Sequence, residues 1–544
     1  MGRAVSGTEA AGAADDLIAS LVARPWGRVS PSVYETGRLV SLSPWLTGHR
    51  RRVAFLVDTQ RPDGGWGAPD DGYALVPTLS ATEALLSVLV RTPPESGTPE
   101  PAVCAAAVRG LRRLGTMLPG RPGAPLPDMP AIELIVPSLA GLIDRRVADL
   151  AARPAPPPGL PDGPLPLPLP RGMDGRKLTL VRDLLASGAQ PPQKLMHALE
   201  IAGPAARGLA QARPEATGTI GASPAATAAW LGDRPPAEPS SPARWYLETV
   251  TAMHDGAVPV AYPLTVFERG WVLSWLIRAG VPVTVPPEMV LSLTAPIRAD
   301  GTPAADGLPP DADTTAAALH ALALLGVPHK PDSLWNFETP THFCTWQGED
   351  GFSVTTNAHV LEAFGEFTAS RSAGSADIGD GRHEAAAGKV ADWLLGRQRD
   401  DGAWTDRWHA SPYYATACCA LALDRYGGRP RSADAVDRAV KWVLESQRPD
   451  GSWGRWEGTA EETAYAVQTL LLPAVTAGRE PGRDLVRAAA RGRGVLLRGL
   501  ALPDRAHPPM WHDKDLYHPG AIVRAAVLAA LHLLDAVAPD RGKE

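Results

Sequence analysis

Apolar residues recur through most of the chain in segments of 12–18 residues, with Ala and Leu spaced three and four apart and Gly or Pro at the segment ends. TAAALHALALLG (ending at Gly326), HEAAAGKVADWLLGRQ, YYATACCALALDRYG and AIVRAAVLAALHLLDAV are examples. Such spacing lays an apolar stripe along a helix. Runs of β-branched residues are scarce, which argues against a large sheet, so the chain reads as all-α. From Pro154 to Pro170 the pattern breaks: nine of seventeen residues are proline. A polyproline-like loop is expected there, as an exposed linker or an insertion inside a domain.

A repeat is superimposed on the helices. Gln-x-x-Asp-Gly-x-Trp occurs as QRPDGGW at Gln60–Trp66, QRDDGAW at Gln398–Trp404 and QRPDGSW at Gln447–Trp453, with a variant, QGEDGFS, from Gln347. The last three glutamines lie 51 and 49 residues apart. Each copy is expected to end one helix and precede another, with Asp-Gly making the turn and Trp stacked over a Gln amide that serves a helix end. A period near 50 that carries two helices means stacked helical hairpins, and a closed ring of them is an α/α barrel. These motifs read as structural staples.

Composition narrows the classes. At 544 residues the chain has room for three or four average domains or two large helical ones. The formal net charge of −6 carries no basic excess, so no nucleic-acid partner is expected. Four cysteines at irregular spacing suit neither a disulfide framework nor a zinc site. The N-terminus lacks the apolar core of a signal peptide and no run reaches 18 apolar residues, so a cytoplasmic protein with no transmembrane segment is expected. Half of the 32 aromatics are Trp, a skew that could wall an apolar cavity.

Candidate chemistry concentrates at Asp311-Ala312-Asp313-Thr314-Thr315-Ala316, which opens an apolar helix after a Gly/Pro-rich loop. One reading is helix capping by Asp. The other is a carboxyl pair that cannot both ionise cheaply, leaving one proton near neutral pH for donation inside an apolar site.

That hexapeptide resembles the DxDD(T)A acid motif of class II terpene cyclases, and the Gln/Trp repeats resemble their QW motifs. SPAATAAWL from Ser223, FERGWVLSWL from Phe267, TTNAHVLEAF from Thr355, RWHASPYYATA from Arg407, GTAEETAYAVQTLL from Gly458 and WHDKDLYHP from Trp511 are similar to segments of bacterial class II diterpene cyclases, in that family's order. The resemblance implies two α/α-barrel domains in a βγ arrangement. Residues 1–44 would pack with the β domain, 45–280 would form an inserted γ domain, and 281–544 would complete the β domain, with the active site between them.

The implied reaction is protonation of the terminal alkene of geranylgeranyl diphosphate, carbocation cyclisation and proton loss with the diphosphate retained. Ent-copalyl diphosphate is the first-choice product; copalyl diphosphate of another stereochemistry or a halimadienyl skeleton are the alternatives, the latter because Thr314 replaces the third acid. By motif position Asp313 is the donor and Asp311 its partner. An alkene is a very weak base, so the donor must be strongly acidic, and the cations need aromatic walls and no water. Tyr262, Trp346, Trp404, Trp408, Tyr414, Trp456, Tyr465 and Tyr517 are candidate walls. No DDxxD motif occurs, so the diphosphate is expected to survive and pass to a separate class I diterpene synthase.

Lys177 matches a diphosphate-binding lysine of the plant enzymes, Arg407 falls where they carry a second lysine, and Lys514 is a third candidate. Mg²⁺ is implied by the family without a marked site; Asp128, Glu133, Asp70 and Asp71 are the available acids. His197 matches the histidine of a plant His–Asn dyad that holds a proton-removing water, but Val260 occupies the Asn position. A squalene–hopene-type enzyme fits less well, given the chain's length. A non-catalytic α/α-toroid binding protein and a toroid glycosidase are the readings from other classes; the glycosidase lacks a second acid of matching context.

Overall fold

In the computed structural model, residues 7–92, 101–118, 126–161, 163, 166–236, 238, 240–372, 381–428 and 430–538 are described. The helices in chain order are α1 Gly7–Ala23, α2 Val33–Leu42, α3 His49–Asp58, α4 Asp71–Arg91, α5 Pro101–Met117, α6 Ile132–Ala151, α7 Arg176–Ala186, α8 Pro224–Leu231, α9 Pro242–Met253 and α10 Thr265–Arg278. They continue with α11 Pro287–Thr294, α12 Ala312–Leu324, α13 Val354–Ser372, α14 Arg382–Leu395, α15 Pro412–Tyr426, α16 Ala433–Glu445, α17 Ala460–Thr476, α18 Arg483–Ala501 and α19 Gly520–Val537. Three 3₁₀ segments, Gln193–Ala206, Pro331–Phe337 and Asp504–Ala506, and two short antiparallel ribbons complete the described elements: β1 Thr302–Pro303 with β2 Pro310–Asp311, and β3 Trp511–His512 with β4 Leu516–Tyr517.

Two closed rings result. In one, α10, α12, α13, α15, α17 and α19 each pack on the next, and α19 returns to α10. Around them lie α1, α11, the Pro331–Phe337 turn, α14, α16 and α18. The inner helices carry Ala, Leu and Val on nearly every face because each is enclosed on all sides. In the other ring α2, α4, α6, the Gln193–Ala206 segment and α8 close in the same way, with α3, α5, α7 and α9 outside. The all-α double-barrel class follows from these two rings.

The rings place two boundaries differently from the sequence reading. Residues 1–44 divide: α1 packs on α19, whereas α2 is an inner helix of the other ring. Likewise α10, within 45–280, is an inner helix of the ring that holds the acid motif. A spacing pattern shows that a helix has a buried face but not which ring receives it. Two helices, α4 and α19, are long and apolar enough to cross a membrane by composition, against the expectation from run length; both are packed inside the fold, as ring helices must be.

Three repeats form one common joint. The indole N–H of Trp66, Trp404 and Trp453 donates to Leu56, Leu394 and Val443, carbonyls at the ends of α3, α14 and α16. The Gln60, Gln398 and Gln447 amides each bridge the carbonyl of their own turn glycine and one of the next outer helix, at Ala106, Ala435 and Ala488. A threonine from the intervening inner helix (Thr78, Thr416, Thr463) accepts the Trp backbone N–H. Thus Trp, not Gln, serves the terminal carbonyl, and the joint ties two outer helices to the inner one between them. The Gln347 copy makes no such joint, because no helix ends there: Gln347 donates to Asn336 and Phe352 lies exposed against Trp393. The described part of the proline-rich segment is a loop that packs rather than dangles. Leu167 is buried on the core of the ring of α2, α4, α6 and α8, and its N–H donates to Asp144.

Candidate active site

A cavity of about 950 Å³ opens between the rings. Pockets for small molecules span roughly 300–1,000 Å³, so this one lies near the upper end. Asp311 and Asp313 lie on its wall from the ring of α10–α19; Lys177, Lys194 and His197 reach it from the other ring.

The acid motif is placed by local rules. The β1–β2 ribbon delivers Asp311 in extended conformation to the N-cap of α12, where its Oδ1 accepts the Thr314 N–H at 2.6 Å. Capping and chemistry are therefore both served. Burial pushes Asp311 up to about 8, against the Thr314 N–H and with help from the Asp313 charge. Asp311 is neutral at pH 7 and adds no second negative charge. Asp313, the second residue of the helix, is 14% exposed at the side chain and points into the cavity. Its Oδ1 meets His359 Nδ1 at 2.8 Å. Burial alone would lower the His359 pKa, but the Asp313 charge and hydrogen bond hold it well above the ordinary value. His359 comes from α13, the helix next to α12 in the ring. It was not singled out from the sequence, although it lies within TTNAHVLEAF, one of the segments that carried the resemblance.

Aromatic faces surround the acid. Trp346 and Trp408 meet edge-to-face at 5.1 Å, and Tyr414 packs 4.7 Å from Trp511. Phe267 meets Trp511 edge-on at 5.7 Å. Tyr517 completes this wall. Of the expected wall residues, Trp346, Trp408, Tyr414 and Tyr517 line the cavity; Phe267 and Trp511 line it too and were not foreseen in that role.

Four of the expected residues lie elsewhere. Trp404 is fully buried in its repeat joint, where capping uses its indole. Tyr262 is wedged beside Trp26 and His254 with its hydroxyl on the Gly27 carbonyl. Trp456 packs on Tyr73 beneath Arg455, and Tyr465 on Trp275 with its hydroxyl on Glu461.

Lys177 and Arg407 stand on the cavity lining with Asp128, Glu133, Glu349 and Asp350. Lys177 is 74% exposed and 4.0 Å from Glu133. Arg407 pairs with Asp128 at 2.7 Å and Glu349 at 3.1 Å. Lys514 is not available to a ligand: it is 0% exposed, with Nζ 2.6 Å from Glu35 and 3.0 Å from Glu200. The residues just before it, Trp511, His512 and Asp513, face the cavity, which is why its motif looked like part of the site.

His197 does line the cavity, but its partners differ from the expected dyad. Nδ1 lies 2.6 Å from the Gly221 carbonyl and Nε2 2.8 Å from Asp513 Oδ1. Val260 is buried in the core and stands off the cavity wall. Asp70 caps α4 and sits 3.6 Å from Arg455, as an ordinary helix-start acid; the side chain of Asp71 lies outside the described residues. Among the described residues no three His, Cys, Asp or Glu side chains converge as a metal site, so the acids present do not compose a ready-made Mg²⁺ cage.

Comparison with known proteins agrees with the geometry. The squalene-hopene cyclase C-terminal domain family matches residues 352–481. An ent-copalyl diphosphate synthase from a Streptomyces species is 42% identical over 520 residues, 95% of each chain. A labda-7,13-dienyl diphosphate synthase from Streptomyces clavuligerus is also 42% identical, over 97% of this chain and 93% of its own. The solved structure of ent-copalyl diphosphate synthase from Streptomyces platensis superposes with a TM-score of 0.88 at 45% identity, covering 96% of this chain and 99% of that one. With an acid on a helix N-terminus in an aromatic cavity between two α/α barrels, and likeness of this extent along the whole length, the chain belongs to the bacterial class II diterpene cyclases.

Proposed function

We propose that the protein converts geranylgeranyl diphosphate to a bicyclic copalyl-type diphosphate, ent-copalyl diphosphate being the favoured product. The observation that carries this reading is Asp313, hydrogen-bonded to His359 at the wall of an aromatic-lined cavity. Asp313 gives a proton from its free oxygen to the terminal alkene. The carboxylate left behind is paired at once with His359 and sits on the N-terminus of α12. Asp311 stays neutral and removes a repulsion that would oppose forming that carboxylate. Aromatic faces then stabilise the ring cations without adding to them, and closure of the chain on itself excludes water.

Lys177 and Arg407 are assigned to the diphosphate. Mg²⁺ is assigned only as a counter-ion travelling with the diphosphate. The relatives' names support a labdane-type product and differ among ent-copalyl, copalyl and labda-7,13-dienyl, so product identity rests on the shape of the cavity and on where the last proton is taken. The product would keep its allylic diphosphate, which a separate class I, diphosphate-ionising synthase must consume; the cytoplasm is the proposed location. Incubating the enzyme with geranylgeranyl diphosphate and Mg²⁺, dephosphorylating, and identifying the alcohol tests the reading. A bicyclic labdane alcohol is expected; geranylgeraniol alone would refute it.

A further inference from the structure

Proton loss needs an acceptor, and the geometry excludes the histidine that the family pattern singles out. Both ring nitrogens of His197 face acceptors: the Gly221 carbonyl at 2.6 Å and the Asp513 carboxylate at 2.8 Å. A carbonyl and a carboxylate can only accept, so each nitrogen carries a hydrogen. Such a ring is an imidazolium with no lone pair left to take a proton. Its setting agrees, since burial would lower the His197 pKa and the Asp513 charge overrides it upward.

Asp513 has the complementary arrangement. It stands on the cavity wall and is 10% exposed at the side chain. Oδ1 is occupied, accepting from His197 and from the Lys514 backbone N–H at 2.5 Å. No described residue donates to Oδ2. Burial works against its charge, but His197 and Lys514 hold it ionised. Its two charged chain neighbours are turned away: Lys514 Nζ to Glu35 and Glu200, and Asp515 to Ser32 and the Tyr34 N–H. Asp513, Asp313 and Tyr517 line the same cavity.

We propose that Asp513 is the terminal base of the cyclisation and that His197 is its positioning cation. This rests on the class II reading above. A C–H bond next to the final cationic carbon breaks, its electron pair forms the product alkene, and the proton passes to Asp513 Oδ2. Asp313 supplies one proton and Asp513 receives one, so the reaction is an isomerisation with the diphosphate untouched. A carboxylate held by a fixed imidazolium takes the place of the water that a His–Asn pair would hold, which accounts for Val260 at the Asn position.

The test compares Asp513→Asn, Asp513→Glu and His197→Gln with the wild-type enzyme, measuring geranylgeranyl diphosphate consumed, the dephosphorylated products and the unfolding midpoint. Wild-type turnover must be seen first; its absence would sink the class II reading and leave nothing to assign. Asp513→Asn is expected to consume substrate more slowly and to yield the native alkene at least about tenfold less per turnover, with hydroxylated or isomeric products in its place. His197→Gln is expected to keep the native alkene while the acid limb of its rate profile moves up by about one pH unit, because Asp513 loses its cation. Should Asp513→Asn not fold, Asp513→Glu decides: a moved carboxylate alters the product ratio if it is the base. Native product ratios in the Asp513 variants, or an altered product in His197→Gln alone, would overturn the assignment.

Discussion

Replacing Lys514 by Met separates a buried structural cation from a diphosphate ligand. The ammonium has four acceptors: Glu35 at 2.6 Å, Glu200 at 3.0 Å, the His197 carbonyl at 2.7 Å and Ser223 Oγ at 2.8 Å. These come from α2, the Gln193–Ala206 segment and the start of α8, whereas Lys514 sits on the β3–β4 turn beside the other ring. Met fills similar volume, so the loss is electrostatic. Stranding a buried carboxylate typically costs about 3–5 kcal/mol. Glu35 escapes by taking a proton. From its ordinary value of 4.5, that costs about 1.4 kcal/mol per pH unit, or about 3.4 kcal/mol at pH 7 and 1.4 at pH 5.5. The raised carboxyl of the variant is favourable at low pH, and that advantage is lost as pH rises. The deficit should therefore shrink by about 2 kcal/mol between pH 7 and 5.5. At about 2.1 cal/mol/K per residue over 544 residues, the pH 7 loss is a drop of about 3 °C in midpoint if unfolding is one transition. Thermal and urea unfolding at the two pH values measure this. A loss below about 1 kcal/mol, or one independent of pH, refutes the argument; an unchanged midpoint with a raised KM would return Lys514 to the diphosphate.

Asp313→Asn should lower turnover at least about 10³-fold with an unchanged midpoint, since it removes the carboxyl proton while keeping the side chain's size; residual activity above that level would move the acid elsewhere. Asp311 is held up to about 8, so its stabilising contribution is full below its ordinary pKa of 3.8 and is lost as pH rises through about 8. Asp311→Asn should accordingly flatten the decline of midpoint between about pH 4 and 8 and remove a fall in rate around pH 8, both read from pH profiles. Arg407→Gln should raise KM by about 10–100-fold, the equivalent of 1.5–3 kcal/mol for a charge-assisted bond, without altering the product; a changed product with normal KM would place Arg407 against the hydrocarbon instead.

Much of this protein is written in local sequence. Three- and four-residue spacing of Ala and Leu specifies the helices, because burying a stripe needs only that spacing. Asp-Gly turns with Trp and Gln at fixed offsets specify the hairpins, because each joint spans neighbouring segments. Asp311 as N-cap fixes Asp313 as the second residue of the helix, so the proposed proton donor could be located without coordinates. Which helix closes which ring could not be read this way: α1 and α10 have the same apolar stripe whichever barrel receives them. The same holds for the electrostatics. Lys514 and Asp513 are adjacent in the chain, yet one is turned into a carboxylate cage and the other onto the cavity. His359 meets Asp313 across 46 residues and His197 meets Asp513 across 316. A motif names the charges; only the packing of distant segments sets which charges neutralise each other and which one is left facing the substrate.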